Sequence, residues 1–162
     1  MATALAAVTR TIFPAAPARS ASEVSTTLPL GAAAAYGVFT DAAEIPRWLP
    51  IVQSARVMTR DLEGRAARVA FTRTLERGSL GYTLAYRYEA NQLTVGWDTL
   101  PSSNVVLHGE ARFVPLSTRA CLMMYRLALE LPIVDSMLHG ELEQHPASLV
   151  VAEFREHLRR LC

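Results

Sequence analysis

Apolar and polar residues alternate with period two through most of the chain, then switch to helical spacing near its end. Val24, Thr26 and Leu28 face away from Glu23, Ser25 and Thr27, so Ser22 to Leu28 reads as a strand. Pro29 and Gly31 break it. Ala32 to Thr40 reads as a short helix with Tyr36 and Phe39 on one face, and a second short helical piece follows from Asp41 to Trp48. From Ser54 the pattern is a meander of about six strands. One face carries Ala55, Val57 and Thr59, then Val69, Phe71, Arg73 and Leu75. It continues with Tyr82, Leu84, Tyr86 and Tyr88, then Leu93, Val95 and Trp97. Val105, Leu107, Gly109, Ala111 and Phe113 follow, and then Cys121, Met123, Tyr125, Leu127 and Leu129. Alternation on this scale means a sheet with one wet and one dry face.

Beyond Pro132 the apolar positions (Val134, Met137, Leu138, Leu142, then Val150, Phe154, Leu158, Leu161) follow helical spacing. Pro146 predicts a break or kink near His145. The expected fold class is therefore α+β. A curved antiparallel sheet wraps a long C-terminal helix, with two short helices after the first strand. The division expected is an N-terminal flexible arm over 1–21 and one ligand-binding domain over 22–162. The arm has a short apolar piece, Ala4 to Val8, with no basic residue before it, and reads as an arm rather than a targeting segment.

Composition narrows the function classes. The 162 residues fit a single core, and 51% hydrophobic against 19% charged residues lies well away from disorder. The net charge is +1 and the arginines are scattered, which argues against a nucleic-acid partner, since that needs clustered cations. The chain has no Lys, the mark of a GC-rich, bacterial genome. Cys121 and Cys162 lie far apart, which suits a reduced, cytoplasmic setting. No apolar run reaches the roughly 20 residues of an integral membrane segment. No cofactor or metal is expected: a Gly-rich phosphate loop, HExxH, CxxC and GxSxG are all missing from the sequence. His139 and His145 are out of phase for a metal pair, and His108 falls on the wet face. Assembly into a homodimer stays open.

Particular residues add a resemblance. Val38-Phe39-Thr40-Asp41 followed by Ile45-Pro46-Arg47-Trp48-Leu49-Pro50, and then Gly109-Glu110-Ala111-Arg112-Phe113-Val114-Pro115-Leu116, resemble motifs of the START-like superfamily (SRPBCC), which includes Bet v 1-type carriers and polyketide cyclase/dehydrase proteins. The resemblance covers roughly Glu23 to Leu161. It implies a helix-grip fold with a cavity between the concave sheet and the C-terminal helix.

A strongly curved sheet closing on one helix leaves space at its open end, and such spaces hold ligands. The candidate ligand-binding residues are Tyr36, Trp48, Phe71, Arg73, Tyr82, Tyr86, Trp97, Met123 and Tyr125, with no catalytic residue assigned. Gly109 and Ala111 put little volume on the inner face, letting the helix approach or leaving room. Each tyrosine has a purely structural alternative, since tyrosines favour strands and pack cross-strand. Trp48 reads as an anchor at the rim, Trp97 as core, and Cys121 as inert core. Arg73 interrupts an apolar row: it either meets a ligand's carboxylate or enolate, or reaches water from the strand's end. The pattern favours the second. Some aromatase/cyclase relatives use a pocket arginine that a loose alignment puts at Arg87, but alternation turns Arg87 outward unless a bulge intervenes.

The expected function is binding of a hydrophobic small molecule, polyketide-, aromatic- or lipid-like. One alternative is a polyketide cyclase/dehydratase that templates its substrate with Tyr and Arg assistance. A second is a lipid- or isoprenoid-handling helper.

Overall fold

In the computed structural model, which describes residues 18–101, 105–131 and 147–162, the first strand pairs with the last. The elements run β1 (Ala18–Leu28), α1 (Ala32–Thr40), a 3₁₀ turn (Ala42–Glu44) and α2 (Ile45–Trp48). Six strands follow: β2 (Val52–Arg60), β3 (Ala66–Leu75), β4 (Gly78–Glu89), β5 (Thr94–Thr99), β6 (Val106–Ser117) and β7 (Ala120–Leu131). The C-terminal helix, α3, is described over Ala147–Leu161. All seven strands form one antiparallel sheet in the order β1-β7-β6-β5-β4-β3-β2. This is the α+β arrangement that the alternation predicts, and the helix-grip fold that the resemblance implies. The period change at Pro132 and the kink near Pro146 lie outside the described residues.

The topology explains where space can form. β1 and β2 are the two edges of the sheet, so the chain between them must cross its full width. It does so over the concave face, where α1 packs on β6 and β7, and α2 on β2. α1 is drawn from an alanine run, the best helix former, and starts at Gly31. Glycine is needed there: a β-carbon would stand 2.7 Å from the Thr118 carbonyl oxygen. α3 lies on the same face against β1, β7 and α2, burying Ala147, Val151, Phe154 and Leu158. Its first residue donates its N–H to the Ser22 hydroxyl at 3.3 Å, and the Arg155 side chain reaches the Thr26 hydroxyl. Arg159 and Arg160 fall in its last turn, where cations complement the helix dipole.

The three helices therefore fill one end of the concave face. Phe39, Trp48, Phe113 and Phe154 close that end as an aromatic cluster, with ring centroids 5.0 Å (Trp48–Phe154) to 6.3 Å (Phe113–Phe154) apart. Among the described residues, the space left uncovered lies over β3, β4 and β5, beside α2 and the first described turn of α3.

Candidate functional site: an apolar cavity with phenolic walls

The cavity in that space has a volume of about 110 Å³. Phe39, Trp48, Leu84, Trp97 and Tyr125 are its buried side; Ile51, Arg73, Tyr82 and Leu149, which are partly exposed, mark its open side. Strand alternation puts the sheet residues here. Phe71 and Tyr82 are register partners on β3 and β4 and stack at 5.6 Å; Tyr86 pairs with Trp97, and their rings lie 6.3 Å apart. Trp97 also meets Tyr125 at 5.6 Å and Phe39 at 6.0 Å.

The polar content of the wall is mainly phenolic. Burial pushes the Tyr82, Tyr86 and Tyr125 hydroxyls above the ordinary tyrosine range. The neighbouring phenols push Tyr86 and Tyr125 further up, while the Arg73 cation beside Tyr82 opposes its shift. All three are neutral at physiological pH and able to donate hydrogen bonds. Among the described lining residues there is no carboxylate, histidine or cysteine. The described residues of the wall therefore offer donors and one cation but no side-chain base.

Seven of the nine residues proposed from sequence, Trp48, Phe71, Arg73, Tyr82, Tyr86, Trp97 and Tyr125, line this cavity. Two lie elsewhere. Met123 is fully buried, two residues along β7 from Tyr125, beneath the helical layer. Tyr36 on α1 turns its ring edge to Phe113, with its buried hydroxyl near Arg65 and Tyr88 at the far end of the sheet. Both share the correct face, but the helices cover that part of it. Leu84, Leu107 and Leu127 line the cavity without having been singled out; their inward positions in the alternation were the available signal.

Arg73 takes neither extreme of its two readings. It is partly exposed at the open side of the cavity, with Nε and Nη2 buried. Arg87 points the other way, as alternation requires. β4 pairs with both neighbours without a register shift, so no bulge reverses its faces. The Arg87 guanidinium lies over Gly96 on the convex face and pairs with Asp98, whose other oxygen meets Nδ1 of His108. The room expected at Gly109 is also corrected. The Trp97 indole occupies it, so neither a ligand nor the helix enters there.

A wider polar groove, about 380 Å³, lies between the end of α1 and the β2–β3 turn, with Thr40, Asp41, Arg60, Arg65 and Tyr88 on its walls. Its cations are engaged within the chain. Arg65 pairs with Asp61 at 2.8 Å and covers the Tyr88 ring, and Arg60 donates to the Gly64 carbonyl at 2.9 Å.

No family model and no curated protein matches the chain by sequence. Solved structures match by fold. A START superfamily protein from Mycobacterium smegmatis superposes with a TM-score of 0.75 at 14% identity, covering 88% of this chain and 99% of that one. The Zhui aromatase/cyclase from Streptomyces sp. R1128 gives 0.73 at 12% identity, over 88% and 95%. Norcoclaurine synthase from Thalictrum flavum, solved with dopamine and hydroxybenzaldehyde, gives 0.64 at 10% identity, over 90% and 87%. At these identities the likeness is one of fold.

Proposed function

With a START-like fold as the premise, we propose that this protein binds a small, largely apolar molecule in the cavity between the sheet and α3, as a carrier or sensor. The observation that carries this reading is the character of the wall: aromatic and aliphatic side chains, neutral phenols, one cation and no base among the described residues. Such a surface desolvates an apolar body and orients it through a few polar contacts. Its described residues include no acid/base pair of the kind proton-transfer chemistry needs. Native mass spectrometry and calorimetry on the purified protein with apolar ring compounds test it. A one-to-one complex is expected, and the absence of any complex would refute it.

A second reading, a cyclase or dehydratase, is favoured by one observation: Arg73 and Tyr82 adjoin at the open side of the cavity. Together they would polarise a substrate carbonyl while the wall holds the chain in shape. An altered product profile from a reactive poly-ketone in the presence of the protein is the result this reading needs. The lipid- or isoprenoid-handling reading asks for a long apolar channel, and a space of about 110 Å³ supports it less.

A further inference from the structure

We propose that the Tyr125 hydroxyl, with that of Tyr86 beside it, serves the ligand rather than the fold. It would receive a neutral oxygen acceptor, such as the carbonyl of a ketone or ester, at the buried side of the cavity. This deepens the binding reading and rests on it.

The sheet treats its phenols in two ways. Tyr88 is satisfied within the chain, its hydroxyl donating to the Ala66 carbonyl at 2.6 Å. Tyr125 is buried more deeply, at 5% exposure, with its ring held between Phe39 at 6.3 Å and Trp97 at 5.6 Å. Yet among the described residues no group bonds to its hydroxyl, and the same is true of Tyr86, whose ring lies 6.3 Å from Trp97. Both tyrosines line the cavity. Beyond the effect of burial, the Tyr82 and Tyr125 phenols add to the rise at Tyr86, which puts these hydroxyls within electrostatic reach of one another. A buried donor left unmet costs stability, whereas phenylalanine would pack the same ring without that cost. The fold gains nothing from the two hydroxyls; a bound molecule does.

Trp48 decides which kind of group suits them. It lines the same cavity at 4% exposure, and its buried Nε1 has no hydrogen-bond partner among the described residues. A phenol can donate or accept, but an indole N–H only donates, so the group that fits this wall is an acceptor. That acceptor is neutral. Among the described residues the buried side is Phe39, Trp48, Leu84, Trp97 and Tyr125, with no cation to offset the cost of desolvating a carboxylate.

Ethylbenzene and acetophenone, near-isosteres in which a CH₂ is exchanged for a C=O, test this by calorimetry on the wild type, Tyr125→Phe and Tyr86→Phe. Apolar burial alone favours ethylbenzene, because a carbonyl without a partner resists desolvation. The wild type is expected to bind acetophenone about tenfold more tightly. Tyr125→Phe should weaken acetophenone about tenfold and leave ethylbenzene within about twofold, with Tyr86→Phe having a smaller effect of the same sign. Benzoate keeps its charge at the opening, so Tyr125→Phe should leave it within about twofold. The carbonyl stretching band of bound acetophenone should lie at lower frequency in the wild type than in Tyr125→Phe. In denaturant, Tyr125→Phe should be at least as stable as the wild type. A Tyr125→Phe protein that loses stability, an unshifted carbonyl band, or equal wild-type affinity for the two compounds would overturn the role of Tyr125 while leaving the binding reading intact. A benzoate affinity that falls along with that of acetophenone would overturn the choice of a neutral group. If none of these compounds binds any of the three proteins, the binding reading falls and this inference with it.

Discussion

Trp97 and Gly109 face each other across β5 and β6, and the indole occupies the space that any side chain on Gly109 would need. The pair joins packing to function, because the same ring is both part of the aromatic core and the floor of the cavity. Gly109→Ala must push the indole away from the sheet and against Phe39, Tyr86 or Tyr125. Overpacking of this kind costs roughly 1–3 kcal/mol. Denaturant unfolding of the variant should show a loss in that range, with a smaller cavity and weaker ligand binding. A variant as stable as the wild type would contradict the seating of Trp97.

Tyr88 shares a strand face with Tyr82 and Tyr86 but has a structural role. Its hydroxyl donates to the Ala66 carbonyl at 2.6 Å, and Arg65 lies 4.6 Å from its ring centroid. Tyr88→Phe removes the hydrogen bond and keeps the ring. Stability should fall by about 0.5–1.5 kcal/mol in chemical denaturation, while ligand affinity stays within about twofold.

The tyrosines also predict alkaline behaviour. Burial pushes Tyr88 up to about 12 from an ordinary value of 10.0, and raises Tyr82, Tyr86 and Tyr125 as well. Above pH 10 the unfolded chain loses these protons first, so it binds fewer protons than the folded state and stability falls with rising pH. The contribution is complete below pH 10 and, for Tyr88, is lost through about pH 12. Thermal melts combined with tyrosinate absorbance should show ionisation arriving with unfolding. Full ionisation near pH 10 in the folded protein would contradict it.

Arg73 and Arg87 should behave oppositely. Arg73 lines the cavity, whereas Arg87 pairs with Asp98 on the convex face. Arg73→Gln is expected to weaken benzoate about tenfold and methyl benzoate much less, since a charge-assisted contact is lost. Arg87→Ala should leave both affinities unchanged. Calorimetry on the two variants decides which face carries the ligand.

Which residues face inward was legible in the sequence because β3, β4 and β5 pair in continuous register, so alternation alone fixes their sides. Register shifts fall instead in β2, one of them next to Val52, the partner of Arg73, and near Pro115. Alternation is silent on position along a strand. Tyr86 and Tyr88 share a face, yet one reaches the cavity and the other the polar groove, because only part of the face lies under α2 and α3. Met123 and Tyr125 divide in the same way. The start of β1 was not legible either. Ala18 to Ala21 show no apolar periodicity, and they are strand only because β7 offers partners from Ala128 to Leu131. The seat of Trp97 on Gly109 depends on cross-strand register, which no local pattern contains.

The chain has two tryptophans, Trp48 and Trp97, and both line the cavity. Their two indole N–H signals in a nitrogen–proton correlation spectrum therefore report directly on its occupation. Titration with benzoate and its methyl ester should move both signals saturably, with one-to-one stoichiometry. Indole signals that stay fixed, or drift without saturating, would contradict a ligand site between the sheet and the C-terminal helix.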